Sequence, residues 1–128
     1  MKKILIIDDS EVNLYLIKSI FLEDSDIAVT IENNSRKALP LIRESKPDAI
    51  VLDLMMPHID GFRILETIKS EPEIADIPIM VITARQDIDA EYRVSQYGVD
   101  AYIKKPINLK EIDHKLRQMI HCKKNQSN

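Results

Sequence analysis

The stretch Ile4-Leu5-Ile6-Ile7-Asp8-Asp9 (residues 4–9) is the segment that most directly indicates the fold. Its apolar run is too short for a helix and rich in β-branched residues, which predicts a buried strand that ends in two carboxylates. The stretch 49–53, Ala-Ile-Val-Leu-Asp, repeats the arrangement with Asp53 at its end. Because the carboxyl ends of parallel strands meet at one crevice, we expect these acids to lie close together.

Apolar runs and helical patterns alternate five times along the chain. The predicted strands are 3–8, 27–31, 48–52, 78–83 and 100–104. The predicted helices are 10–23, 35–45, 60–70, 87–97 and 108–121. Such alternation favours right-handed crossovers and a parallel sheet with helices on both faces, the α/β class.

The order of the strands follows from their polarity. Strand two alternates apolar and polar residues, and strand five carries Asp100 and Lys104, so both are expected at the edges of the sheet. The common doubly wound order 2-1-3-4-5 places these two strands outside and brings the first and third strands side by side. Within the second helix, Pro40 cannot donate a backbone hydrogen bond and predicts a kink or a late start.

Length and composition favour one compact domain. The chain has 128 residues, of which 45% are hydrophobic, and we predict a domain over 1–121 and a polar tail or the start of a linker over 122–128. A net charge of −3 does not favour direct binding to nucleic acid or to an anionic membrane. The single Cys122 and the lack of an apolar run near the ~20 residues of a membrane span are typical of a cytoplasmic protein.

The predicted clustering of acids has a chemical consequence. Two carboxylates ~5 Å apart repel each other by roughly 3 kcal/mol at an effective dielectric of 20. A nearby cation or a raised pKa must offset this repulsion. Lys105, just past the fifth strand, supplies one ammonium group, and a divalent metal with phosphate chemistry fits the remaining negative charge.

Four motifs occur in order at the ends of strands one, three, four and five. They are Asp8-Asp9, the segment 53–61 (Asp-Leu-Met-Met-Pro-His-Ile-Asp-Gly), Thr83-Ala84, and the segment 102–106 (Tyr-Ile-Lys-Lys-Pro). Together they resemble the receiver domain of two-component response regulators, and the resemblance extends from about residue 2 to residue 120. It implies a flavodoxin-like, doubly wound (βα)5 fold with a five-stranded parallel sheet.

The resemblance implies that Asp53 is the phosphoacceptor, which would form an acyl phosphate. It also implies a Mg²⁺ ion, which Mn²⁺ can replace, bound by Asp8, Asp9, Asp53 and the backbone carbonyl of Met55. Asp8 would act mostly through a water molecule. Mg²⁺ suits such a set because it is a hard ion that takes one or two carboxylates and a phosphate oxygen.

Further roles follow from the same resemblance for residues around the phosphoryl group. Lys105 and Thr83 would bind phosphate oxygens, and the small Ala84 would leave room for the acyl phosphate. Thr83 and Tyr102 would form the switch, although plain edge-strand packing is an alternative for Tyr102.

Two features of the neighbouring loops are also implied. The Lys105–Pro106 peptide bond would be cis, as the family holds it. Met55 and Arg85 would flank the route of the attacking water and set the lifetime of the acyl phosphate.

The resulting expectation is a phosphorylation-dependent signalling switch, not an enzyme acting on other substrates. Its partners would be a histidine kinase or phosphotransfer protein and an unknown output domain or protein, with a homodimer through helix four, strand five and helix five as a further option. Three alternatives remain open: a Mg²⁺-dependent aspartyl-phosphate phosphatase, a flavin or nucleotide module, and a docking module that needs no phosphorylation. Such phosphatases typically place an Asp-x-Asp pair after the first strand, whereas Asp8 and Asp9 are adjacent. A flavin or nucleotide module would need a phosphate-binding loop after that strand, but the chain has only two glycines, Gly61 and Gly98.

Overall fold

The computed structural model describes residues 1–84 and 88–121. A five-stranded parallel sheet forms its centre, in the order β2-β1-β3-β4-β5, which confirms the predicted strand order. The strands are β1 (Lys2–Ile7), β2 (Ile27–Glu32), β3 (Ala49–Asp53), β4 (Ile79–Thr83) and β5 (Ala101–Lys104). The helices are α1 (Glu11–Ser19), α2 (Ala38–Ser45), α3 (Gly61–Ser70), α4 (Ile88–Ser95) and α5 (Leu109–His121).

The sheet separates two apolar cores. Alternate residues of β1 point to opposite faces, so that Ile4 and Ile6 belong to one core and Leu5 and Ile7 to the other. Helices α1 and α5 cover the first core, and α2, α3 and α4 cover the second. The strands β3 and β4 are buried along their whole length, as expected for central strands covered on both faces.

The first helix is shorter than predicted. The pattern favoured a helix over 10–23, but α1 ends at Ser19 and the chain continues in turns, with hydrogen bonds from Phe21 N–H to Lys18 O and from Asp24 N–H to Phe21 O, both 3.0 Å. Phe21 is still buried. The prediction of this boundary was wrong because apolar spacing reports burial, which a turn can provide as well as a helix.

Pro40 shapes the start of the second helix. Residues Ser35–Lys37 form a 3-10 turn, and α2 begins only at Ala38, so the predicted late start is confirmed. Pro40 is then the third residue of α2, within the first turn, where a backbone N–H has no acceptor inside the helix. The proline therefore leaves no hydrogen bond of the helix unmade.

Asp60 and Gly61 turn the chain into α3. Asp60 is the N-cap, and its carboxylate accepts a hydrogen bond from Phe62 N–H at 2.9 Å. Gly61 packs directly on the backbone of Leu54, where a Cβ atom would lie 2.5 Å from the Leu54 Cα atom. This close approach anchors α3 one residue beyond Asp53. Within the described ranges, no helix combines the length and the apolar character that a transmembrane span needs.

Candidate functional site

Three carboxylates meet at the carboxyl edge of the sheet. Asp8 follows β1, Asp53 is the last residue of β3, and these two strands are neighbours. One oxygen from each of Asp8, Asp9 and Asp53 lies within 4.8 Å of the others. Asp8 and Asp53 are 1% exposed, whereas Asp9 is exposed to solvent. The cluster is therefore open on the side of Asp9.

Asp8 is held by three donors. Its Oδ1 accepts a hydrogen bond from Ser10 N–H at 2.9 Å, and its Oδ2 accepts one from Asn13 Nδ2 at 3.3 Å. The same Oδ2 lies 3.5 Å from Lys105 Nζ. Donors to both oxygens fix the orientation of the Asp8 carboxylate.

Asp53 has two direct contacts with opposite sides of its carboxylate. Lys105 Nζ lies 3.1 Å from Oδ2, and Met55 N–H donates to Oδ1 at 3.0 Å. Burial raises the pKa of Asp53 to about 7, and the negative charge of Asp8 adds to this, although Met55 N–H and Lys105 both act to lower it. Burial and repulsion outweigh the two donors, so the carboxyl group of Asp53 holds its proton more tightly than a free carboxyl group does.

Lys105 is brought to the acids by the end of β5. Its backbone N–H donates to Thr83 O at 3.0 Å, which ties it to the end of β4, and its peptide bond to Pro106 is cis. Burial alone would lower the pKa of Lys105, but the charges and hydrogen bonds of Asp53 and Asp8 outweigh that effect and raise it. Lys105 is therefore a stable cation at the site.

The other predicted residues lie around the same edge. Thr83 is the last residue of β4 and is buried, and Ala84 next to it is exposed. Tyr102 is partly buried against the apolar core beneath α4. Met55 is 51% exposed. Arg85 and the tail 122–128 lie outside the described residues.

Two further side chains near the site, Asn13 and Ser35, had no role at the site assigned from the sequence. Asn13 donates to Asp8, and the buried hydroxyl of Ser35 donates to the backbone oxygen of Pro57 at 2.7 Å, which ties the loop after β2 to the loop after β3. For Asn13 the sequence signal was its position in the first turn of α1, four residues after Asp9. For Ser35 the partner is distant in sequence, and no local pattern indicates it.

The donor set fits a hard divalent cation. It consists of carboxylate oxygens from three acids with one open side, and it lacks the thiolates and imidazoles that softer metals prefer. The raised pKa of Asp53 points the same way, because a bound cation would offset the repulsion that burial intensifies.

Comparison with known proteins agrees with this geometry. A family model described as the response regulator receiver domain matches residues 4–117. The chain belongs to the response regulator receiver domain family. This receiver domain is 33% identical over 108 residues to the polar-differentiation response regulator DivK of Brucella anthropi, an alignment that covers 84% of this chain and 87% of DivK.

Solved structures share the fold over nearly the whole chain. The signal receiver domain of a DNA-binding response regulator from Colwellia psychrerythraea 34H superposes with a TM-score of 0.86 at 29% identity, covering 94% of this chain and 98% of that one. The Mn²⁺-bound form of the response regulator Rcp1 superposes with a TM-score of 0.80 at 25% identity, covering 97% and 96%. The flavodoxin-like fold and the assignment to two-component signalling are thereby confirmed for this receiver domain.

Proposed function

We propose that this receiver domain is a phosphorylation-dependent switch in which Asp53 accepts a phosphoryl group from a histidine kinase or a phosphotransfer protein. The observation that carries the proposal is the surroundings of Asp53: a buried carboxylate 3.1 Å from the Lys105 ammonium and next to two further acids. A structural ion pair needs one acid for one lysine, whereas a site for phosphate and a cation needs this excess of carboxylates.

The reaction forms one bond and breaks one. A carboxylate oxygen of Asp53 attacks phosphorus, the bond between phosphorus and the donor imidazole nitrogen breaks, and that nitrogen keeps the bonding electron pair. The product is an acyl phosphate, which water later hydrolyses to restore the carboxylate and release inorganic phosphate. The protein contributes mainly positioning and charge stabilisation to such a transfer.

Asp8, Asp9, Asp53 and the backbone carbonyl of Met55 are the groups that would hold Mg²⁺, or Mn²⁺ in its place. A bound ion would neutralise charge on the phosphoryl oxygens. The contact between Met55 N–H and Asp53 Oδ1 orients the acceptor carboxylate before any ligand arrives. Asp8, whose carboxylate is oriented by its own donors, would act on the ion mostly through a water molecule.

Lys105 and Thr83 would bind the remaining phosphoryl oxygens. The ammonium of Lys105 already lies beside the acceptor oxygen, and it would move from the carboxylate to the phosphoryl group as charge shifts there. The hydroxyl of Thr83 would donate to a second oxygen. Ala84, small and exposed, leaves the space above the acceptor open.

Phosphorylation would then change the surface formed by α4, β5 and α5. Thr83 would move towards the phosphoryl group, and Tyr102 would turn inwards into the space that this movement leaves, a two-state element biased by a local change of charge. Ile88 and Tyr92 on α4 are 82% and 65% exposed, which suits a surface that contacts an output protein or a second copy of the chain. Residues 1–121 would act as one receiver unit, and 122–128 as a tail or linker.

Met55 and Arg85 would set the lifetime of the acyl phosphate by flanking the route of water. Exchanging both should change the half-life of the phosphoprotein while leaving phosphorylation itself possible. An unchanged half-life would contradict this part of the proposal.

The direct test uses acetyl phosphate with Mg²⁺ and the mass of the intact protein. The wild type should gain the mass of one phosphoryl group, and Asp53→Asn should gain none. The matched control is Asp76→Asn, because Asp76 is an exposed acid before the amino end of β4, and it should behave like the wild type. A phosphatase would instead hydrolyse a generic phosphate ester continuously. A docking module would show neither result, and that outcome would overturn the proposal.

A further inference from the structure

The first turn of α1 is built around Asp8 rather than around its own cap alone. Ser10 is the N-cap of α1, and its hydroxyl accepts a hydrogen bond from Asn13 N–H at 3.2 Å. In a capping box, the third helical residue would return a side-chain acceptor to the N–H of the cap. Here Ser10 N–H donates to Asp8 instead, and the side chain of Asn13, the third helical residue, donates to the same carboxylate.

The side chain of Asn13 therefore binds a buried carboxylate and not the helix cap. Its side-chain amide bonds a carboxylate that is 1% exposed and belongs to the acidic cluster. The acceptor, Oδ2 of Asp8, is also the Asp8 oxygen that pairs with Lys105 Nζ, at 3.5 Å. Asn13 and Lys105 therefore share one oxygen of Asp8, and Lys105 Nζ lies closer to Asp53 Oδ2, at 3.1 Å.

We propose that Asn13 is a positioning residue for the divalent-cation site, acting through Asp8. The inference rests on the proposed function, since it concerns the same ion. Asn13 fixes the rotation of the Asp8 carboxylate from the helix side, while Ser10 N–H fixes it from the loop. Without the Asn13 donor, Asp8 is free to turn towards Lys105, which neutralises part of the negative charge intended for the cation. Groups that orient a ligand in this way typically change metal affinity by one to two orders of magnitude.

A purely structural role for Asn13 predicts that its removal weakens folding and Mg²⁺ binding together. The positioning role predicts that only Mg²⁺ binding is weakened. The cap of α1 uses the backbone N–H of Asn13, which Asn13→Ala retains, and alanine has the higher helix propensity. The gain in helix propensity offsets part of the loss of the Asn13 donor to Asp8, so the variant should unfold at a denaturant concentration close to that of the wild type when no divalent ion is present. A positioning role should appear only when the ion is added.

The experiment measures Mg²⁺ binding by calorimetric titration with MgCl₂ in the unphosphorylated protein, and unfolding by urea in EDTA. Asn13→Ala should bind Mg²⁺ roughly tenfold more weakly, and its unfolding midpoint in EDTA should stay close to that of the wild type. Asn13→Gln, which keeps an amide donor on a longer stem, should recover part of the affinity. The matched control is Asn33→Ala, because Asn33 Nδ2 also donates to a carboxylate of α1, Glu11, at 3.1 Å, but outside the acidic cluster.

Each outcome decides between the hypotheses. Equal Mg²⁺ affinity in the wild type and Asn13→Ala would overturn the role of Asn13 alone. A loss of stability in EDTA that matches the loss of affinity, an equal loss in Asn33→Ala, or no recovery in Asn13→Gln would also overturn it. Absence of Mg²⁺ binding in the wild type would instead remove the ion from the proposed function itself.

Discussion

Lys105 Nζ lies 3.1 Å from Asp53 Oδ2 although the two residues are 52 positions apart in the chain. The ends of β3 and β5 bring them together across the intervening end of β4, to which Lys105 is bonded through Thr83 O. This contact supplies the one cation that the described part of the acidic site contains before a ligand arrives. Its removal should therefore affect stability and ion binding in opposite directions.

Replacing Lys105 with alanine should destabilise the ion-free protein by about 2 kcal/mol, because two buried carboxylates lose their counter-charge. The same variant should bind Mg²⁺ more tightly than the wild type, since a competing positive charge has been removed. Urea unfolding in EDTA and calorimetric titration would measure the two effects. Lys104→Ala, an exposed neighbour, serves as the control and should change neither, and weaker Mg²⁺ binding by Lys105→Ala would contradict the prediction.

Replacing Asp53 with asparagine should stabilise the ion-free protein in a pH-dependent manner. Burial raises the pKa of Asp53 to about 7 in the folded protein, against an ordinary value of 3.8, so the folded state binds a proton more tightly than the unfolded state. The stability that this carboxyl contributes is complete below pH 4, falls between about pH 4 and 7, and is absent above. The wild type should thus lose stability relative to Asp53→Asn as pH rises.

The expected difference is about 2 kcal/mol in favour of Asp53→Asn at pH 8, and much less at pH 5, measured by urea unfolding in EDTA. The matched control is Asp76→Asn, the same substitution at an exposed acid, and the stabilisation by Asp53→Asn should exceed it at pH 8. A difference between Asp53→Asn and the wild type that is equal at pH 5 and pH 8 would show that ionisation of this carboxyl does not govern it.

Gly61→Ala should cost about 1–3 kcal/mol of stability, because its Cβ atom would lie 2.5 Å from Leu54 Cα and a backbone atom cannot turn aside. Gly98 offers a matched comparison: a Cβ atom there meets nothing within 4 Å, but φ is +68°, so Gly98→Ala should cost only about 1 kcal/mol. Since Leu54 follows Asp53 directly, Gly61→Ala should also slow phosphorylation by acetyl phosphate. Equal phosphorylation rates in both variants would contradict the link between α3 and the acceptor.

Arg117 joins α5 to the turn after α1. Arg117→Ala should lower the free energy of unfolding by about 1–2 kcal/mol. Its guanidinium lies 2.8 Å from Asp24 Oδ2, pairs with Asp113, and stacks over the Phe21 ring at 5.0 Å. Arg117→Lys should recover little of this, because an ammonium has no planar fork. Lys115→Ala, which removes an exposed pair with Glu111, should change the unfolding midpoint very little; a comparable loss there would indicate that surface charge in general is responsible.

Much of the architecture was predictable because buried faces of strands and helices require apolar residues at regular spacings in the sequence. Central strands are unbroken apolar runs and edge strands are mixed ones, a contrast that correctly placed strands two and five at the edges of the sheet. The late start of α2 followed from Pro40, since the chemistry of proline is local. The end of α1 was not predictable, because Phe21 satisfies the apolar pattern while its backbone forms turns.

The sequence by itself determined which residues reach the carboxyl edge of the sheet: Asp8-Asp9, Asp53, Thr83 and Lys105 each stand where a strand ends, and strand ends are set by local patterns of polarity. Only the tertiary structure decided how those groups interact. The distance from Lys105 to Asp53, the burial that raises the pKa of Asp53, and the hydrogen bond from Asn13 to Asp8 all depend on how separate elements pack. Electrostatic energy varies with the distance between charges and with the exclusion of water. Both quantities depend on tertiary packing and cannot be obtained from the order of residues along the chain.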